Sequence, residues 1–326
     1  MTIAPDHPPA FPAYRAPSWL ANAHAQTIWP RMLMGRLPDY RRERWDTPDG
    51  DFIDLDWVDG PPHAPLLVLF HGLEGSSRSH YARSVMLAAA AHGWSGVVPH
   101  FRGCSGEPNR LPRAYHSGDS DEIDWVLRRL RALDPPRPLY AAGISLGGNA
   151  LAKWAGERRE EAAQVVHAIA VVCAPLDLAV AGRALESGFN RVYTEYFLRS
   201  MRPNALRKLA RFPGIGDRER IAGARTLYQF DDAVTAPLHG FRDADDYWHR
   251  ASAKPHLPGI AVATLLLNAR NDPFLPAHAL PAANAVSRQV IREFPAHGGH
   301  VGFVSGRFPG HLDWLAQRLL AFFESV

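Results

Sequence analysis

The sequence predicts an α/β fold in which a mostly parallel central sheet carries helices on both faces and is interrupted by a helical insertion. Two observations carry this expectation. From Pro65 to Ala174, short continuous apolar runs alternate with helix-like segments, the pattern of strands buried on both faces of a parallel sheet. After Pro175 the rhythm breaks, and no strand run returns until residue 261.

Taken in order, residues 1–40 are proline-rich and are expected as an extension packed on the core. Residues 41–58 alternate around Pro48, Asp49 and Gly50, which reads as a hairpin at the sheet edge. The strand runs that follow are PLLVLF (65–70), WSGVVPHF (94–101), PLYAAGI (138–144) and HAIAVVCA (167–174). Helical patterns lie between them at about 79–92, 119–133 and 149–160. Residues 176–258 form the expected helical lid or cap, rich in aromatic side chains. Beyond it come AVATLLLN (261–268), a helix near 277–285, RQVIREF (288–294) and a last helix over 311–326. The core is therefore expected to be discontinuous, built from 41–175 and 259–326.

Composition narrows the function classes. Of 326 residues, 46% are hydrophobic and 21% charged, values of a globular chain rather than a disordered one. The net charge of +3 comes from 36 basic and 33 acidic residues with no basic tail, so no nucleic-acid partner is indicated. Cys104 and Cys173 are too few for a disulfide framework and lack zinc-ligand spacing, which fits a reducing, cytoplasmic setting without a metal. The first 17 residues lack the basic and apolar regions of a secretion signal. The most apolar stretch, 167–182, is interrupted by Pro175 and Asp177, so no membrane-spanning segment is expected.

Chemistry concentrates at Gly143-Ile144-Ser145-Leu146-Gly147, a G-x-S-x-G pattern between an apolar strand and a helical segment. Such a turn is tight, and glycines without a Cβ let strand and helix approach while the serine oxygen stands above the sheet. A serine nucleophile needs a base and an acid that orients the base. Asp272, directly after AVATLLLN, and His300, after RQVIREF, would both emerge at the strand ends where Ser145 sits. Asp272 also fits an Asx-turn before Pro273, and His300 is one of 16 histidines. Asp177 and His297 are the rivals for the two roles and rank second. The two oxyanion donors are expected from the backbone N–H groups of Leu146 and of Leu73, the latter in the loop HGLEGSS (71–77).

At these residues the chain resembles the YheT-type family of bacterial hydrolases, itself similar to ABHD-type esterases and phospholipases of the α/β-hydrolase superfamily. The resemblance rests on NAHAQTIWP (22–30), HGLEGSS (71–77), FRGCSGEPNRLPRAYHSGDSDE (101–122), GISLGGNALAKW (143–154), DDAVTAPLHGFRDADDYW (231–248), NARNDPF (268–274) and HGGHVGF (297–303). Ala23, Ala25 and His100 depart from the expected pattern. The resemblance implies an α/β-hydrolase fold and a carboxylic-ester hydrolase whose triad is Ser145, Asp272 and His300.

Other signals have plainer readings. Cys104 has no neighbouring base in the sequence and reads as a packed small side chain. The H-x-x-x-x-D spacing of His116 and Asp121 is expected by chance in a chain with this many of each residue. In the insertion, Phe189, Tyr193, Tyr196, Phe197, Met201, Phe241, Tyr247 and Trp248 supply enough apolar surface to roof a pocket. Arg202, Arg207, Lys208 and Arg211 could give a weak peripheral membrane contact, although a solvated face is the first expectation. The sequence thus predicts hydrolysis of small-molecule or lipid-like esters through an acyl-enzyme on Ser145, with no cofactor. Acyl transfer by the same groups, or a non-catalytic ligand-binding module on this fold, are the alternatives.

Overall fold

A computed structural model describes residues 11–133 and 137–326; residues 1–10 of the expected extension lie outside them. Eight strands form one sheet: β1 Arg41–Asp46, β2 Phe52–Val58, β3 Leu66–Phe70, β4 Ser95–Pro99, β5 Leu139–Ile144, β6 Ala168–Val172, β7 Ala263–Leu267 and β8 Val290–Glu293. Their order is β1-β2-β4-β3-β5-β6-β7-β8. The hairpin β1–β2 is antiparallel and joins β4 antiparallel, while every pairing from β4 to β8 is parallel.

The helices before β6 are α1 Ala23–Ile28, α2 His80–Ala91, α3 Ser120–Leu133, α4 Leu146–Arg158 and α5 Glu160–Val165. Between β6 and β7 run α6 Leu178–Leu185, α7 Arg191–Arg211, α8 Arg218–Gly223, α9 Leu227–Phe230, α10 Ala236–Leu238 and α11 Ala244–Ala251. The chain ends on α12 Asp313–Glu324, which packs against α2. Side-chain alternation along β3 divides the interior. Leu66, Val68 and Phe70 face the layer of α3 and α4, including Leu127, Leu151 and Trp154. Leu67 and Leu69 face the layer of α2 and α12, including Met86, Leu319 and Phe323.

One expected element is absent. Residues 277–285 form two isolated 3₁₀ turns, Ala277–Ala279 and Ala283–Ala285, instead of a helix. Pro281 lies between them; its ring removes a backbone donor and pushes the preceding Leu280 into extended backbone, with ψ 136°. The apolar and alanine pattern signalled a helix, and one proline overrode it. Among the described residues, no helix is long and apolar enough to cross a membrane.

Candidate active site

Ser145 stands between the last residue of β5 and the first of α4, with φ 53° and ψ −119°. This conformation is sterically costly for a residue with a Cβ, and its neighbours hold it in place. A Cβ on Gly143 would meet the Gly147 carbonyl oxygen at 2.5 Å, and one on Gly147 would meet the Phe70 and His71 carbonyl oxygens at 2.5 Å. Strand β3, strand β5 and helix α4 therefore approach as closely as backbone allows. The turn lifts Ser145 Oγ clear of the sheet at the carboxyl ends of the parallel strands, where open α/β sheets place their ligands.

His300 Nε2 lies 3.0 Å from Ser145 Oγ, and His300 Nδ1 lies 2.9 Å from Asp272 Oδ2. Asp272 is buried and its other oxygen, Oδ1, accepts the Phe274 N–H at 2.8 Å. The Asx-turn and the contact to His300 thus coexist, one oxygen to each. The Phe274 ring stacks on the His300 ring at 4.0 Å between centroids, which limits the imidazole to one plane. The rivals stand elsewhere: Asp177 caps α6 and pairs with Lys254 at 3.1 Å, and His297 sits beside Asn271.

Leu146 and Leu73 both border the cavity that holds Ser145. Leu146 opens α4, so its N–H is among those without an intrahelical acceptor. In the loop after β3, Tyr81 Oη takes the Gly72 N–H at 2.9 Å and Tyr115 Oη takes the Glu74 N–H at 2.9 Å, on either side of Leu73. His71 anchors the same loop from below. It is wholly buried, burial pushes its pKa down to about 3, and the neutral ring donates from Nδ1 to the Gly72 carbonyl while Nε2 accepts the Phe101 N–H. The supporting roles of Tyr81, Tyr115 and His71 were invisible in the sequence, because each depends on how the loop after β3 folds back on its neighbours.

The loop carrying His300 is held from the opposite end of the chain. Gln26, buried in α1, accepts the Gly298 N–H at 2.8 Å and an Asn271 side-chain N–H at 3.0 Å on Oε1, while its Nε2 donates to the Leu20 carbonyl. Thr27 Oγ1 accepts the His300 N–H at 3.0 Å. Both residues lie in the NAHAQTIWP motif, which marked the segment without revealing what it does. Cys173, at the end of β6, accepts the Val301 N–H on Sγ at 3.4 Å. Its donor atom lies with those of Asp272 and His300 inside 4.8 Å, but burial and the Asp272 carboxylate push the thiol's pKa well up. A metal would need the thiolate, so this set fits a hydrogen-bonded chain better than a metal site.

Two spaces meet at Ser145, and a third adjoins the first of them. A cavity lined by Leu178, Leu185, Met201, Trp248 and Leu275 extends from Ser145 and His300 beneath α6 and α7. A second shares Leu73, Leu146, Met201, Asp231 and Tyr247 with it and continues past Tyr115 and His116. An open groove of about 690 Å³ leads from Ser145 and His300 outward between α1 and α7. His116 therefore faces the second cavity rather than Ser145, and Asp121 is exposed and pairs with Arg158, so their sequence spacing makes no site. Asp231 lies on a π-helical turn, Asp231–Thr235, and accepts from Trp248 Nε1 and Thr235 Oγ1. Burial pushes its carboxyl up to about 6.

Three of the four basic residues from Arg202 to Arg211 in α7 are engaged, and Arg207, bonded to the Asn204 side chain, stays exposed. Lys208 donates to the Leu111 and Arg113 carbonyls, Arg211 to the Asn109 carbonyl, and Arg202 pairs with Glu195. Cys104 is surrounded by apolar neighbours and its thiol pKa is raised by burial, the state of an inert packed thiol.

Comparison with known proteins agrees with this architecture. Residues 65–306 match the family model described as the alpha/beta hydrolase fold. The chain is 42% identical to YheT of Escherichia coli (strain K12), over 92% of this chain and 89% of that protein. It is 28% identical to phospholipase ABHD3 of Mus musculus, over 98% of this chain and 80% of that protein. The solved structure of the Pyrococcus furiosus esterase Pf2001 superposes with a TM-score of 0.56 at 15% identity, covering 90% of this chain and 94% of that one. On its fold and on these matches, the chain belongs to the α/β-hydrolase family.

Proposed function

We propose that the protein is a serine hydrolase that cleaves carboxylic esters with apolar or lipid-like acyl groups. The observation that carries this reading is the unbroken chain Asp272–His300–Ser145, at 2.9 and 3.0 Å, opening onto an apolar cavity. The hydrolase names of the relatives support the reaction class.

With Nδ1–H donated to Asp272, His300 offers Nε2 as acceptor for the Ser145 hydroxyl proton. As Oγ bonds the ester carbonyl carbon, that proton passes to Nε2 and the carbonyl oxygen becomes an oxyanion facing the Leu73 and Leu146 N–H groups. Collapse breaks the carbon–oxygen bond to the alcohol, which leaves with the proton from Nε2. Water then attacks the acyl-enzyme, gives its proton to Nε2, and the second collapse returns that proton to Ser145 with release of the carboxylic acid. In this reading residues 176–258 act as a lid whose inner face holds the acyl chain.

Hydrolysis of a chain-length series of p-nitrophenyl esters by the protein and by Ser145→Ala tests it. Turnover that disappears in the variant, with unchanged circular dichroism, is the expected outcome. Equal turnover by both proteins would sink the assignment.

A further inference from the structure

We propose that the rim of the groove above Ser145 is a docking surface for an anionic lipid bilayer, so that esters reach the site from the membrane plane. Single exposed apolar side chains are ordinary on any protein; a cluster of them on the rim of one groove is not. Ten large apolar side chains are exposed among the described residues, and seven of them fall in two short segments, 28–37 and 189–196. The first contributes Ile28, Met32, Met34 and Leu37, with Met32 75% exposed. The second contributes Phe189, Val192 and Tyr196.

These segments, far apart in sequence, face one another across the groove. Ile28 and Met34 line one bank and Val192 and Tyr196 the other, with Ser145 and His300 below. Arg31 joins the banks: its Nη2 donates to Tyr196 Oη at 2.7 Å and its guanidinium lies 4.2 Å from that ring's centroid. Met32 and Leu37 stand outside the groove lining, in the exposed stretch that continues from it.

Charge selects the occupant. Segment 28–37 holds Arg31 and Arg36 and no acidic residue, and Arg78 lines the groove beside them; the acidic Glu74 in that lining is bonded to Tyr115 and Asn204. On the opposite bank, Arg191 and Arg199 are exposed, and the one acidic residue between them, Glu195, is already paired with Arg202 at 2.6 Å. Exposed methionine, leucine and phenylalanine side chains interspersed with unpaired arginines complement the acyl boundary and the anionic headgroups of a bilayer. Of the basic run of α7 that the sequence offered for this role, Lys208 and Arg211 are turned onto backbone carbonyls and Arg202 onto Glu195 instead. The inference rests on the ester-hydrolase reading only for what is cleaved; docking is measurable without turnover.

Sedimentation with vesicles of phosphatidylcholine alone, and of phosphatidylcholine mixed with phosphatidylglycerol, tests it, using both the unaltered protein and Ser145→Ala. Both proteins are expected to pellet with the anionic vesicles, to remain in solution with neutral ones, and to be released by salt. The double variant Met32→Glu/Leu37→Glu should bind about tenfold more weakly. It should hydrolyse a soluble short-chain p-nitrophenyl ester at the unaltered rate, since neither position lines the groove. Absence of vesicle binding, or binding unchanged in the double variant, would overturn the proposal. So would a dimer in solution that the double variant abolishes in the absence of vesicle binding, because the face would then belong to a second copy. Vesicle binding together with soluble-ester turnover that survives Ser145→Ala would leave docking intact and remove the hydrolase reading.

Discussion

The side chain of Thr27 accepts the backbone N–H of His300 at 3.0 Å, across 273 residues of sequence. The same hydroxyl donates to the Ala23 carbonyl within α1, and the preceding Gln26 binds both the Asp272 loop, through Asn271, and the His300 loop, through Gly298. One turn of helix therefore ties together the two loops whose side chains meet at Ser145. That turn lies before residue 65, where the match to the hydrolase family model begins.

Thr27→Val keeps the side chain's shape but leaves the part-buried His300 N–H without its acceptor, a loss of about 1 kcal/mol. The His300 loop should then sample misplaced positions, and kcat for a p-nitrophenyl ester should drop by about tenfold or more with little change in KM. Thr27→Ser restores the acceptor and should restore kcat. Equal kcat in the valine and serine variants would remove the positioning role.

Ser145 carries its strained backbone whatever its side chain, as long as a Cβ is present. Ser145→Gly should abolish ester turnover and raise stability over the unaltered protein by about 1 kcal/mol, read from urea denaturation midpoints. Ser145→Ala keeps the Cβ and should show no such gain. A glycine variant no more stable than the alanine one would mean that the turn stores no strain.

At Gly147 the opposite substitution is decisive. A Cβ there would meet the Phe70 and His71 carbonyl oxygens at 2.5 Å, and these belong to backbone that cannot rotate aside. Gly147→Ala should cost about 3 kcal/mol or more, observed as a large drop in melting temperature or as insoluble expression. A melting temperature within a few degrees of the parent's would show that β3 can withdraw from α4.

Asp231 gives a pH-dependent term with a defined sign. Its folded-state carboxyl is pushed from 3.8 up to about 6 by burial, so the native state holds this proton more tightly than the unfolded chain. The stability it contributes is fully present below the unfolded pKa and is lost as pH rises through about 6. Asn cannot ionise, so the stability of Asp231→Asn relative to the parent should improve by about 2 kcal/mol between about pH 4 and about pH 7. Superimposed on this is a constant loss, because an amide N–H₂ would face one of the donors of Trp248 or Thr235. Urea midpoints at the two pH values check it; an unchanged difference would mean that Asp231 is ionised throughout.

The sequence revealed features whose cause is local. Ser145, Asp272 and His300 each follow a strand run, so the topology of a parallel sheet brings them to one edge without knowledge of any long-range contact. Where the sequence reading failed or was silent, the cause is distant or a single residue. Pro281 ended a helix that alanines on both sides favoured. Lys208 and Arg211 look like a solvated or lipid-facing stripe until the 109–113 loop is seen supplying them with carbonyl oxygens. Gln26, Thr27, Tyr81 and Tyr115 belong to recognisable segments, yet their partners lie in loops that only the folded chain brings near.

The bond from Thr27 to His300 also imposes an order on the birth of the reactive group. A chain growing from the ribosome exposes α1, β3 and the Ser145 turn long before residue 300 has been polymerised. In the proposed mechanism the serine has, during that interval, no imidazole to take its proton. The histidine loop follows β8, which pairs with β7 in the finished sheet, so its contact with α1 joins the two ends of the chain. On the proposed mechanism, a molecule that lacks residue 300 would have no base beside Ser145 and should not turn over esters.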